Sequence, residues 1–129
     1  MLFVKSGDKI VKLDTFTEAY VECAFFVGVI SEDGVDANHT YNISHLSQET
    51  IDAILLDCKE FQERNAELMT GLDAVQCGHD FFLTRNRHGA GFWDRGYDDK
   101  ISRPLTVDSH SQGGFNLYVG DDGKLYHHS

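Results

Sequence analysis

The chain has 129 residues, 41% of them hydrophobic and 25% charged, which is typical of one globular domain spanning residues 1–129. A formal net charge of -10 does not favour direct binding to nucleic acid through overall charge. Because the three cysteines, Cys23, Cys58 and Cys77, form no C-x-x-C pair, neither a disulfide framework nor a closed zinc site is expected. No apolar run reaches the ~18 residues of a membrane span. The sequence therefore predicts a soluble cytoplasmic protein with no membrane partner.

The acidic excess is confined to the N-terminal part of the chain. Residues 1–80 contain fifteen acidic and five basic residues, whereas residues 81–129 contain six of each. Five of the latter six bases fall within residues 85–103. We therefore expect an acidic helical part, residues 1–75, followed by a β-hairpin part, residues 76–129, with different surfaces.

The first 30 residues contain a weak strand signal and then a helix signal. Short apolar pieces in residues 1–13 flank a Ser-Gly-Asp turn and predict a strand pair or an extended arm. Thr15 and Glu18 have the spacing of a capping box, which predicts a helix from Phe16 to about Val29. Residues 24–30, rich in Phe and Val, fit a strand equally well.

The clearest element is a long amphipathic helix that begins after Ser47, a good N-cap residue. At 100° per residue its apolar side chains fall on one side: Ile51, Ile54, Leu55, Cys58, Phe61, Leu68 and Met69. Five acidic residues lie within about 60° of the opposite pole. They are Glu49, Asp52, Glu60, Glu63 and Glu67. We call these five residues the acidic face.

The remainder of the chain predicts hairpins. Residues 79–84 resemble a strand, residues 85–91 a glycine-bearing turn, and Phe92 and Trp93 a returning strand. A loop or short helix covers residues 97–111, and residues 115–127 form a second hairpin with a D-G turn. We therefore predict an α+β fold in which the long helix and a second helix pack on an antiparallel sheet of about four strands.

Two segments resemble a known pattern. Residues 84–96 read TRNRHGAGFWDRG, and residues 117–126 read LYVGDDGKLY. Together they are similar to a motif of small phage and prophage proteins, over about a fifth of this chain. The resemblance implies a phage origin and a compact fold, and it implies no particular activity.

The residues of the first segment also suggest a ligand site. Guanidinium groups can fork a phosphate or carboxylate, amide and imidazole groups add donors, and an exposed indole can stack on a base or sugar. In the alternative, these residues have a purely structural role: Arg85 or Arg95 pairs with Asp80 or Asp94 to stabilise the sheet, and Trp93 belongs to the core. The candidate ligand residues are Arg85, Asn86, Arg87, His88, Trp93, Asp94 and Arg95.

Three functional hypotheses follow. In the leading one, a phage-encoded accessory protein binds and inhibits a host protein, such as a DNA- or RNA-binding protein or a defence factor. It uses the acidic face as a DNA mimic, because carboxylates one helical turn apart lie about 5–6 Å from each other, close to the spacing of phosphates. In the alternative, the acidic face is the solvent-exposed side of an ordinary helix and binds no partner.

The second hypothesis is a small enzyme or an anionic-ligand or nucleotide-binding protein that uses the arginine-rich segment. The third is a minor structural protein of the phage particle. No activated nucleophile is evident, so the sequence favours a binding protein over an enzyme. We predict no catalytic residue, no metal site and no cofactor.

Overall fold

The computed structural model describes residues 2–31, 34–35 and 40–129. Within them lie the helices α1 (Thr15–Val27), α2 (Gln48–Met69), α3 (Ala74–Arg85) and α4 (Asp99–Ser111), with short 3-10 helices at Ile43–His45 and Phe92–Asp94. The strands are β1 (Phe3–Ser6), β2 (Lys9–Lys12), β3 (Ile30–Ser31), β4 (Gly34–Val35), β5 (Asn116–Val119) and β6 (Leu125–His128). The predicted α+β class is confirmed.

The strands form two separate sheets. β1 and β2 make the predicted N-terminal hairpin, in which Val4 lies opposite Val11. The second sheet has the order β4-β3-β5-β6, and its β3–β5 pair is parallel while its other pairs are antiparallel. The predicted small antiparallel sheet of about four strands is confirmed in its strand number and in its mainly antiparallel pairing. Its predicted source is wrong for two strands, because residues 79–93 contribute none and β3 and β4 take their place.

Helix α1 begins one residue earlier than predicted, with a different cap. The Asp14 carboxylate accepts a hydrogen bond from the Thr17 amide at 2.8 Å, so Asp14 is the N-cap. The expected capping box is wrong, since the Glu18 carboxylate instead accepts from the amide of Leu2 at 3.1 Å. Residues 24–27 are helical, and the chain becomes extended only at Ile30.

Helix α2 follows the prediction closely. The Ser47 hydroxyl caps its first turn by accepting from the Thr50 amide at 3.2 Å, and Ile51, Ile54, Cys58 and Phe61 are buried. Asn65 interrupts the regular geometry with φ -116° and ψ 16°. Its side-chain amide donates to the Phe61 carbonyl at 2.9 Å, which stabilises the irregular turn.

Residues 74–85 form helix α3, so the predicted strand at 79–84 and the first predicted hairpin are wrong. The Asp73 carboxylate caps the helix by accepting from the amide of Val75 at 2.9 Å. Most of the helix is buried, and its buried residues include the polar Asp80, Thr84 and Arg85, so its sequence lacks a 3.6-residue pattern of apolar residues. Phe92 and Trp93 lie in a 3-10 helix rather than a strand.

The C-terminal third combines a helix with the second predicted hairpin that the structure confirms. Helix α4 confirms the helical option for residues 97–111, and β5 and β6 confirm the terminal hairpin. Gly123 occupies the left-handed region with φ 79°, which explains the glycine in its turn. Residues 76–129 are thus not purely a β-hairpin part, since they include most of α3 and all of α4.

An aromatic cluster joins the helices. The rings of Phe61 and Phe81 stack with centroids 4.1 Å apart, and Phe16 and Phe92 each lie 5.9 Å from Phe61. All four are buried, and they come from α1, α2, α3 and the second 3-10 helix. Burial of several aromatic side chains supplies much of the free energy that holds these elements together. None of the helices in the described residues combines the length and apolar character needed to cross a membrane.

Gly78 is required by the close packing of α3 on α1. A Cβ at this position would overlap the Phe16 carbonyl oxygen and lie 2.9 Å from the Ala19 Cβ. We expect Gly78→Ala to reduce the free energy of unfolding by about 1–3 kcal/mol, because the helices must move apart. Gly89→Ala is the control, since nothing lies within 4 Å of its added Cβ, and its effect is expected below about 0.5 kcal/mol. Urea denaturation measures both, and equal stabilities would contradict the prediction.

Candidate functional site

The acidic face is fully displayed on the surface. Glu49, Asp52, Glu60, Glu63 and Glu67 are all exposed. Within the described residues, none of these five carboxylates belongs to an ion pair. Asp52 alone has side-chain hydrogen bonds, from the Gln48 amide at 2.9 Å and the Ser6 hydroxyl at 3.3 Å. In the described part of the chain, the face therefore carries negative charge that no ion pair neutralises.

An apolar side chain lies at the centre of this face. Leu56 is 54% exposed, and its place on the helix falls between Asp52 and Glu60, one turn from each. The sequence reasoning missed it, although its position at the acidic pole could have been read from the same helical projection. An exposed leucine therefore lies between carboxylates of the acidic face.

The two cations of α2 lie at the borders of the acidic face. Arg64 makes two hydrogen bonds of 3.0 Å to the Asp108 carboxylate of α4, so its charge is balanced by Asp108. Partial burial acts to raise the pKa of Asp108, but the hydrogen bonds from Arg64 and Asn65 outweigh it and the pKa lies below its ordinary value. Lys59 lies at the opposite border and lines a cleft of about 450 Å³ together with Lys12 and with Glu63 of the acidic face.

Arg85 is an internal residue and not part of a ligand surface. Its side chain is 4% exposed and donates to the Asp57 carboxylate at 2.8 Å and the Tyr20 hydroxyl at 3.0 Å. Its remaining bonds go to the carbonyls of Gly113, at 2.9 Å, and Gln112, at 3.2 Å. Burial raises the pKa of Tyr20 well above its ordinary value, so this hydroxyl stays protonated. A phosphate would have to displace these contacts.

Asn86 and Arg95 also have structural partners. The Asn86 side chain donates to the Phe82 carbonyl at 2.9 Å and accepts from the Phe115 amide at 2.7 Å. Arg95 donates to both oxygens of Asp80, which is fully buried, with a shortest distance of 2.8 Å. The alternative in which Arg95 pairs with Asp80 is therefore confirmed.

The other four candidate ligand residues remain on the surface. Arg87, His88 and Asp94 are exposed, and Trp93 is 53% exposed, so the alternative that placed Trp93 in the core is wrong. Arg87 lies just after α3 with φ 57°, and its charge acts on His110 of α4. The pKa of His110 is lowered by burial and by this charge. Of the seven residues, Arg85 alone is buried and Asn86 is half-buried, while Arg95 is exposed like the other four although it pairs with Asp80.

No metal centre is formed by the described part of the chain, where no group of three or more His, Cys, Asp or Glu side chains could hold an ion. The three cysteines are free and buried. Comparisons with protein families, curated proteins and solved structures match nothing to this chain.

Removing the Arg85 guanidinium is expected to destabilise the fold. Arg85→Met would leave the Asp57 carboxylate and the Tyr20 hydroxyl without their partner, and loss of one member of such a buried pair costs about 3 kcal/mol. Arg87→Met is the matched control, because Arg87 is exposed, and its effect is expected within about 0.5 kcal/mol. Thermal and urea unfolding measure the difference. Similar losses for both variants would show that the buried network contributes little.

The cysteine thiols are expected to be unreactive in the folded protein. Burial raises the pKa of Cys23 and Cys77 to about 11, and it raises the pKa of Cys58 as well. At pH 8, only about one thiol in a thousand would then be thiolate. Titration with Ellman's reagent should detect almost no rapid reaction in buffer and three thiols in denaturant. Rapid modification of any native thiol would contradict this expectation.

Proposed function

We propose that this chain is a phage-encoded accessory protein that binds and inhibits a host protein in the host cytoplasm. The acidic face of α2 is its contact surface. The observation that carries the proposal is that five exposed carboxylates share one helix face without an ion pair among the described residues. We base the phage origin on the resemblance of residues 84–96 and 117–126 to a motif of small phage proteins.

The dimensions of the acidic face suit a basic groove. At ~1.5 Å per residue, Glu49 and Glu63 lie about 21 Å apart along the helix, with two carboxylates of the face between them. Asn65 breaks the helix before Glu67, so the last carboxylate lies beyond the irregular turn. A DNA-binding groove offers Lys and Arg side chains over a comparable length. The class of partner supported best is therefore a nucleic-acid-handling or defence protein.

Leu56 adds a contact that DNA phosphates cannot make. A 54% exposed leucine at the centre of the acidic face can enter an apolar depression while the surrounding carboxylates pair with basic residues. Charge then directs the encounter, and the desolvated leucine adds affinity that salt does not screen. Binding should therefore weaken with salt without being abolished by it.

The enzyme or ligand-binding alternative draws no comparable support. Three of its seven residues, Arg85, Asn86 and Arg95, are held by internal hydrogen bonds. In the described part of the chain, the four clefts of about 290, 450, 460 and 480 Å³ are lined by residues other than the exposed Arg87, His88, Trp93 and Asp94.

Charge reversal of the acidic face tests the proposal. Tagged protein is used to capture partners from host lysate, and Glu60→Lys, Glu63→Lys and Glu67→Lys are combined in one variant. Capture of the principal partner at moderate salt should fall about tenfold, which corresponds to about 1.4 kcal/mol. Duplex DNA should also release the partner from the tagged protein, because DNA and the acidic face would occupy the same basic groove of the partner.

The control for this experiment reverses three exposed acids outside α2 by Asp8→Lys, Glu22→Lys and Asp94→Lys. This variant has the same change in net charge and should capture the partner normally. Undiminished capture by the helix variant would sink the mimic mechanism. Equal losses in both variants would show that net charge, and not the acidic face, drives binding.

A further inference from the structure

The outer surface of the terminal hairpin contains an aromatic cleft. Tyr118 and Tyr126 are cross-strand partners in β5 and β6, and their rings lie 5.9 Å apart at an angle of 32°. Because side chains alternate along a strand, these rings lie on the face opposite the buried Leu117 and Leu125. The cleft beside them has a volume of about 460 Å³ and is lined by Tyr118, Val119, Gly120, Asp121, Asp122 and Tyr126. We call it the Tyr126 cleft.

Hydrogen bonds within the hairpin hold the walls of this cleft in place. The Tyr126 hydroxyl donates to the Asp122 carboxylate at 2.7 Å, and the Lys124 amide donates to the same carboxylate at 3.0 Å. A Cβ on Gly120 would lie 2.5 Å from the Tyr126 ring, so the ring packs directly on the glycine backbone. The ring therefore has a fixed orientation before any ligand arrives, which reduces the entropy lost on binding.

Two carboxylates, those of Asp121 and Asp122, line the cleft, and the cation of Lys124 in the same turn acts on Asp122. The hydrogen bond from Tyr126 and that from the Lys124 amide hold the pKa of Asp122 below its ordinary value, so this carboxylate is ionised at neutral pH. Asp121 is exposed and belongs to no ion pair in the described part of the chain. Glu49 of the acidic face interacts electrostatically with Tyr126. The cleft therefore continues the acidic face beyond the N-terminal end of α2.

Aromatic ring faces beside carboxylates are suited to one class of ligand. The faces of a tyrosine ring carry partial negative charge and attract cations, and a nearby carboxylate can also accept their hydrogen bonds. Phosphates and other anions would be repelled by Asp121 and Asp122. A planar guanidinium satisfies both requirements, since it stacks on a ring and donates from its edge.

We propose that the Tyr126 cleft binds a basic side chain, an arginine or a lysine, of a partner protein. The source of this cation rests on the proposed function, because the cleft adjoins the acidic face and the same partner would cover both. Tyr118, Tyr126 and Asp121 then determine specificity for a basic segment next to the main contact.

A peptide titration tests the cleft without the partner. The probe is acetyl-Gly-Arg-Gly-amide, and the same peptide with citrulline in place of arginine is its neutral isostere. Ring resonances of Tyr118 and Tyr126 in NMR spectra should shift saturably with the arginine peptide and at least fivefold less with the citrulline peptide. Equal shifts, or none in either titration, would overturn the proposal.

Single substitutions locate the site. Asp121→Asn removes one charge without disturbing a hydrogen bond that the structure shows, and it should weaken peptide binding at least threefold. Asp8→Asn, in the turn of the other hairpin, is the matched control and should bind normally. Tyr126→Leu should abolish the shifts of Tyr118. The Asp121→Asn result remains decisive if Tyr126→Leu disrupts the hairpin, and normal binding by Asp121→Asn would overturn the assignment.

The same variants separate this proposal from the function on which it rests. If Asp121→Asn leaves capture of the host partner unchanged while charge reversal on α2 abolishes it, the partner does not occupy the cleft and this inference fails alone. If charge reversal on α2 has no effect, the proposed function fails, and the peptide titration still decides whether the cleft binds a cation.

Discussion

A single buried guanidinium connects the separate parts of this fold. Arg85, at the end of α3, reaches Tyr20 of α1, Asp57 of α2 and the carbonyls of the segment between α4 and β5. Its guanidinium carbon also lies 5.3 Å from the centre of the Phe81 ring and 5.4 Å from that of Phe115. Because a buried charge is costly unless it is paired, each of these elements must be in place for the others to pack.

A second internal ion pair extends this constraint to the segment after α3. The fully buried Asp80 accepts from Arg95, which fixes the 3-10 helix that carries Phe92 into the aromatic core. Two of the basic residues that suggested an anion site, Arg85 and Arg95, thus neutralise carboxylates of the fold, Asp57 and Asp80. The surfaces that we propose for a partner are the acidic face of α2 and the Tyr126 cleft that adjoins it.

The accuracy of the sequence predictions varied with burial. Helix α2 is half exposed, so its apolar and acidic residues separate at 100° intervals, and its Ser47 cap could be identified. Helix α3 is largely buried, and its aromatic residues and Thr84 favoured a strand although it is a helix. The Asp73 cap was the one local signal that could have shown its start. Predicting the acidic face from the sequence required only helical periodicity. The Tyr126 cleft was not predicted, because it depends on which residues of β5 and β6 lie opposite each other.

The sequence by itself determined the α+β class, the long helix with its acidic face, and the terminal hairpin with its glycine turn. Each of these follows from local periodicity or turn chemistry, which a single chain segment contains. Only the tertiary structure decided that Arg85 is buried, that Arg95 pairs with the buried Asp80, that Leu56 and Trp93 are exposed, and that α3 is a helix. The physical reason is that the partners of Arg85, such as Tyr20 and Gly113, are distant in sequence, and no local pattern specifies which charge will be buried against which carboxylate.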